Sequence, residues 1–421
     1  RPTHCRNGHV DRTEPYPTTF CPMKHWTLAL SLLALSMTSC EDYFGSKTDL
    51  DFIEVPNYGI REIAYVPIQP AFTGFVHPSD LCIGFDELLY VVDEATEEII
   101  CLNESGVEQG RLTIPGVTTV RQDRRLDLLA IGRHDTTING VAYSLACLYR
   151  IHQIGPNGEY GLPYAEVVHK TVHPFYFKNT FSTSDAQVQF GQVAVLANNQ
   201  SEKNNRYYLT RTGPSSNNAN QGPDDAVILF DNEDQYVSPI SVTTSSGLYT
   251  NYFQDPRGLV SFAQPPQYTA AVGDDFWFTS MDPNQALQVQ HMTFVETEFG
   301  ADYRPVIYNG DNSLADDWIN KANRFTEPCA MTMAGDATRY LFVVDRQRDS
   351  VYQFTASGLE GIPPPPASGE TRYTKVSFGG EGSGPMQFIE PAAVAHYKKI
   401  LYVVDAGNGR ISRFKCTLDF E

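Results

Sequence analysis

The sequence lacks the short motifs by which many enzymes can be read. It contains no GxSxG elbow, no Walker loop and no HExxH pair, so nothing local points to an elbow hydrolase, a P-loop nucleotide enzyme or a zincin. No DxDxDG loop is present, which removes the EF-hand type of calcium site. No CxxC spacing is present either, which removes the common zinc and dithiol pairs. Positive charge is scarce: 31 Lys and Arg stand against 50 Asp and Glu, a formal net charge of −19. The densest basic cluster, Arg121, Arg124 and Arg125, is interleaved with Asp123 and Asp127. A phosphate backbone would be repelled by such a chain, so no nucleic-acid partner is expected. Long apolar runs are missing as well. The run at residues 26–35 is about half of the ~20 residues that a membrane-spanning helix needs.

What is present begins with that short run. Residues 23–40 read MKHWTLALSLLALSMTSC: a Met-Lys start, an apolar stretch, then small residues before Cys40. This is the layout of a secretory signal peptide. Met37-Thr38-Ser39-Cys40 resembles the bacterial lipobox, with Met37 where leucine is usual. The resemblance implies that residues 23–39 are removed and that Cys40 carries lipid. Glu41 and Asp42 follow directly, and acidic residues there resemble the surface-export signal of Bacteroidetes-type lipoproteins. Two or more acyl chains give stable anchoring. The expected address is therefore the bacterial outer membrane, lipid-anchored and facing the cell exterior, with residues 40–51 as a tether. Residues 1–22 start with Arg1 and precede a complete signal sequence, so upstream non-native or mistranslated sequence is expected there.

Five cysteines remain beyond Cys40: Cys82, Cys101, Cys147, Cys329 and Cys416. An odd number cannot all pair internally. Cys82, Cys147 and Cys329 sit among apolar or small neighbours and read as small buried hydrophobes. A bridge between Cys82 and Cys101, on neighbouring strands, is left open.

The expected propeller domain, residues 52–421, carries a repeat. Strands rich in aromatic and β-branched residues close on an aspartate: Leu89-Tyr90-Val91-Val92-Asp93, a looser copy ending at Asp282, Leu341-Phe342-Val343-Val344-Asp345 and Leu401-Tyr402-Val403-Val404-Asp405. Pro78, Pro328 and Pro391 lie upstream of three of them. A second strand follows each aspartate, so the unit reads as an antiparallel meander. The aspartates Asp345 and Asp405 are 60 residues apart, Asp282 and Asp345 are 63 apart, and Asp93 and Asp282 are 189 apart, three times that step. Two degenerate units must fill the gap, with strands expected at residues 126–132 and 144–151, then at 187–198, 207–210 and 226–230. The count is six units. A lone four-stranded sheet exposes both faces, and radial packing buries them, so the expected fold is all-β: a single β-propeller of six four-stranded antiparallel blades. Residues 52–66 are the candidate strand to close the ring after Phe414. The repeat aspartates are expected to bond amides of the turn that follows them.

The last unit is the most specific. Phe378-Gly379-Gly380-Glu381-Gly382-Ser383-Gly384-Pro385-Met386-Gln387-Phe388 leads to Pro391, the strand ending at Asp405, then Asn408, Arg410-Ile411 and Phe414. This resembles the NHL family of β-propellers, strongly over about 40 residues and fairly over about 80 more. The family resemblance implies structural roles for Asp93, Asp282, Asp345, Asp405, Asn408 and Arg410.

Function is less legible. The histidines are scattered, and Asp282, Asp311, Asp316 and Asp317 read as turn and cap residues, with a short helix expected within residues 310–324. Aromatic clusters at residues 173–177 and 249–253, with Trp318, make Tyr176, Tyr249, Tyr252 and Trp318 candidate ligand contacts. No catalytic residue and no cofactor is indicated by a motif. The first expectation is a binding or accessory module for an outer-membrane protein complex or an extracellular ligand, such as a glycan or peptide. The alternative is a lactonase- or lyase-like propeller enzyme, which the resemblance would supply with a metal ion in the central channel.

Overall fold

The computed structural model describes residues 62–214, 224–266, 273–298 and 300–420. They form six four-stranded blades arranged as a β-propeller. Blade one is Pro78–Ile83, Leu89–Asp93, Glu98–Leu102 and Glu108–Thr113. Blade two is Thr119–Gln122, Leu128–Ile138, Val141–His152 and Glu166–Val172. Blade three is Gln189–Val195, Tyr207–Thr212, Ala226–Phe230 and Tyr236–Pro239. Blade four is Pro256–Ser261, Phe276–Ser280, Val289–Thr297 and Gly300–Val306. Blade five is Pro328–Met333, Leu341–Asp345, Ser350–Phe354 and Phe378–Gly379. Blade six is Pro391–Tyr397, Ile400–Asp405 and Arg410–Cys416, completed by Tyr65–Thr73 from the other end of the chain.

The first strand of each blade is the inner one, and each inner strand packs beside those of the two adjacent blades, closing a ring. Second strands are buried along most of their length, as in Leu89–Asp93 and Leu341–Asp345, although the end of Leu128–Ile138 reaches solvent. They lie between two neighbouring blades, and this is why they read as unbroken apolar runs rather than alternating ones. The outer strand Glu108–Thr113 faces solvent and is polar. Six apolar clusters result, one at each blade interface, such as Tyr90 and Val92 against Val120 and Leu128 between blades one and two. Each buried large side chain contributes about 1.5–3 kcal/mol.

The closing strand pairs antiparallel with Arg410–Cys416, from Tyr65 opposite Cys416 to Thr73 opposite Arg410. Thr417 secures it: its backbone N–H donates to Ala64 O at 2.8 Å, and its hydroxyl donates to Glu62 O at 2.8 Å. The expected closing segment overlaps this strand only at Tyr65 and Val66; its residues 52–61 lie outside the described residues. The two degenerate units are blades two and three; the strand expected at residues 126–132 runs from Leu128 to Ile138, through His134 and Asp135.

Three expectations need correction, and the open question of a Cys82–Cys101 bridge is answered. Asp282 is not the repeat aspartate of blade four. The strand ends at Ser280, which stands opposite Pro256 as Asp93 stands opposite Pro78, so the position is held by serine. Cys82 and Cys101 do not pair: both face Tyr90, whose strand separates theirs, and both are free buried thiols. Residues 310–324 form turns rather than a helix, because Trp318 bridges to Leu359 and draws the segment onto blade five. The repeat aspartates bond chiefly backward, to the two residues before the blade's first proline. Asp93 accepts from Val76 and His77 N–H at 2.6 and 3.0 Å, and Asp345 from Thr326 and Glu327 at 2.7 and 3.0 Å. Each thus staples the incoming loop to its own blade.

In blade six the staple is reinforced. Asp405 accepts from Ile389 N–H at 2.8 Å and from Arg410 Nε at 2.7 Å, and Asn408 Nδ2 donates to both of its oxygens. Arg410 also donates to the carbonyls of Ser383, Gly384 and Gln387, which shapes the glycine-rich turn. Gly409 follows Asn408 at φ +61°, a left-handed conformation that glycine takes without strain. The residues that carry the repeat motif are structural.

Candidate functional site

All inner strands run the same way, so the channel has two distinct mouths. At the proximal mouth, where the strands begin, lies a cavity of about 330 Å³. Ser79, Asp80, Thr119, Gln192, Arg257 and Arg346 are among its lining residues. At the distal mouth a more apolar cavity of about 360 Å³ is lined by Pro265, Pro266 and residues 396–399. Between them the channel narrows, and all six inner strands contribute to its wall, including Leu81, Arg121, Val195, Leu259, Met331 and Val394.

Asp80 is the unusual group. It stands two residues after the blade's proline, where blades four, five and six have Gly258, Ala330 and Ala393. It is almost wholly buried. Its Oδ2 accepts from Val120 N–H at 3.0 Å and from Arg121 Nη1 at 2.7 Å, while its Oδ1 has no hydrogen-bond partner among the described residues. A buried carboxylate oxygen left unpaired costs free energy, so a ligand donor there would relieve a penalty already present. Two arginines line the same mouth. Arg257 Nε sits 2.8 Å from Asp255, and Arg346 is exposed and forms no ion pair among the described residues. The mouth thus presents two guanidinium groups beside the carboxylates Asp80 and Glu94.

Nucleophilic chemistry has no support there. Cys329 lines the same mouth, but burial pushes its thiol up to about 11, and its sulfur rests on the carbonyls of Pro391 and Ala392 at 3.4 and 3.6 Å. Burial likewise holds Cys82, Cys101 and Cys147 up at about 12. Thiols of this kind stay protonated and unreactive near neutral pH.

The residues of the channel also do not fit a divalent cation. Among the described residues, no three of His, Cys, Asp and Glu converge. Asp80 is tied to Arg121, and Glu94, at the rim, is tied to His77 Nδ1 at 2.9 Å. His396, near the distal mouth, stacks on Phe342 at 5.7 Å, and burial pushes its pKa down.

The aromatic candidates divide. Tyr176 packs between blades two and three against Phe190, Phe230 and Tyr236, with ring centroids 5.4–6.2 Å apart, so it is core rather than ligand contact. Trp318 is half-buried, bridged to Leu359 and covered by Lys321, again as packing. Tyr249 and Tyr252 do come together in one cavity beside blade four. Asp282 caps a turn, accepting from Asn284 N–H at 2.9 Å. Cys40, Glu41 and Asp42 lie outside the described residues. Sequence reasoning missed Asp80, Gln192, Arg257 and Arg346. The signal for Asp80 was present: a carboxylate where the other proline-led repeats have glycine or alanine.

No protein-family model and no curated protein matches the chain. Solved structures of similar fold do exist. Virginiamycin B lyase from Staphylococcus aureus is 10% identical, with a TM-score of 0.42, covering 84% of this chain and 99% of that one. A gluconolactonase from Xanthomonas campestris is 8% identical, with a TM-score of 0.47, covering 85% and 91%. A protein of unknown function from Bacteroides thetaiotaomicron is 11% identical, with a TM-score of 0.45, covering 84% and 76%. These likenesses carry nothing about activity, and function is argued from this chain's own residues.

Proposed function

We propose that the chain is an NHL-like propeller displayed on the bacterial outer membrane by lipid on Cys40, acting as a binding or accessory module. The observation that carries this reading is the proximal mouth. Arg257 and Arg346 line it together with the half-satisfied Asp80, Ser79, Thr119 and Gln192. This set recognises a carboxylate on an extracellular ligand, or on a loop of a partner outer-membrane protein, that also brings a hydroxyl or amine to Asp80 Oδ1. The lactonase- or lyase-like propeller enzyme stays the alternative reading.

The address is tested on whole cells. Cys40→Ser should release the protein from the membrane fraction, and external protease should digest the wild-type chain on intact cells. A Cys40→Ser protein that remains membrane-bound, or a wild-type chain protected from protease, would contradict the assigned anchor and orientation. The chemistry is tested by metal analysis of the purified chain. A stoichiometric channel metal removable by chelator, together with hydrolase or lyase activity, would favour the enzyme reading.

A further inference from the structure

Blade four carries something the propeller does not need. Its four strands are complete, yet a hairpin, Val242–Thr244 and Gly247–Tyr249, is added to its outer edge. The attachment is a single parallel pair, Val242 with Tyr303. Its turn uses Gly247 at φ +126°. The hairpin leaves Leu248 65% and Tyr249 44% exposed. An added edge with exposed apolar side chains is a liability for a soluble fold unless it is used.

Beside the hairpin is a cavity of about 300 Å³, lined by Tyr249, Asn251, Tyr252, Gln254, Gln285 and Gln290 among others. None of its lining residues is charged, on a chain with a net charge of −19. Part of the lining is held in place. Tyr252 hydroxyl donates to Gln290 Oε1, Gln290 Nε2 donates to Leu287 O at 2.8 Å, and Gln254 Nε2 donates to Asn251 O at 3.1 Å. The side-chain amides of Asn251 and Gln285 make no hydrogen bond among the described residues. Two aromatic rings with several neutral amides, each amide both donor and acceptor, match a molecule with apolar faces and many uncharged hydroxyls.

We propose that this cavity is a binding site for neutral carbohydrate, separate from the proximal mouth of the channel. An acidic sugar is disfavoured by the uncharged lining and the acidic surroundings, and a peptide would find no charged partner. Affinity electrophoresis of the full-length protein tests this, in native gels containing galactomannan, glucomannan, xyloglucan or mixed-linkage glucan, with polygalacturonate as the acidic control. Migration should slow in at least one neutral gel and not in polygalacturonate. Tyr249→Ala and Gln285→Ala, both at positions in contact with solvent, should each weaken that apparent affinity, and Tyr249→Ala combined with Tyr252→Ala should weaken it at least tenfold. Thermal melting should show the single variants folded, so they carry the test even if the double variant unfolds. The proposal is overturned if no neutral gel slows the protein, if polygalacturonate slows it more, or if retardation survives Tyr249→Ala and Gln285→Ala unchanged.

Discussion

At the scale of single residues, the repeat aspartates do more than end a strand. Asp345 is fully buried and accepts the N–H groups of Thr326 and Glu327 at the point where the chain enters blade five. Asp345→Ala should therefore strand two backbone donors and cost about 2–3 kcal/mol in a urea melt. The same change at Asp282, which serves a surface turn, should cost under about 1 kcal/mol. His173 makes a second prediction. It is fully buried, its Nε2 has no hydrogen-bond partner, and Asp185 Oδ1 is 3.4 Å away. Burial, aided by the charge of Arg211, pushes its pKa down to about 3, from 6.5. The folded state thus holds the ring neutral, so its stability is full above pH 6.5 and is lost as pH falls toward 3. Between pH 7 and pH 5 the loss from this group is about 2 kcal/mol. His173→Phe, among aromatic neighbours, should flatten that part of the stability profile. An unchanged pH dependence would show that His173 does not titrate in this way.

At the scale of elements, blades two and three are joined by a buried ion network. Arg150 donates to Asp234 at 2.6 and 2.7 Å and to Asp123 at 2.7 Å, and Tyr207 hydroxyl donates to Asp234 at 3.0 Å. Burial opposes the charge on Arg150, but Asp234 and Asp123 outweigh it and keep the guanidinium firmly protonated. Arg150→Met should cost about 3–5 kcal/mol, because it leaves the buried Asp234 without a cation, while Asp123 keeps Arg125. A loss under 1 kcal/mol in denaturant melts would contradict the role assigned to the network. Such joints were invisible in the sequence, since Arg150 and Asp234 are 84 residues apart. The strands were legible because blade interiors must be apolar on both faces, which leaves runs such as Leu-Tyr-Val-Val-Asp. Asp282 misled for a related reason: the strand there ends in Thr-Ser, and the next aspartate, two residues on, happened to fit the interval. The proximal mouth was barely legible, because its residues come from all six inner strands and from the turns beside them, and the cluster exists only once six blades close.

At the scale of the whole molecule, closure depends on one strand from far away in the chain. Tyr65–Thr73 completes blade six, so Tyr65 and Cys416, 351 residues apart, are held together by backbone pairing. Deleting residues 62–73 should leave Arg410–Cys416 as an open edge and abolish cooperative unfolding, read by calorimetry. The closed ring is also what brings Asp80, Gln192, Arg257 and Arg346 to one mouth. The central claim, that this mouth binds rather than reacts, is tested most directly by quantitative mass spectrometry of what co-purifies with the full-length protein from gently solubilised outer membranes. The account predicts a stoichiometric partner protein or small carboxylate ligand that falls at least tenfold with Arg257→Ala and Arg346→Ala together. A solitary chain, or a partner retained in full by that variant, would contradict it.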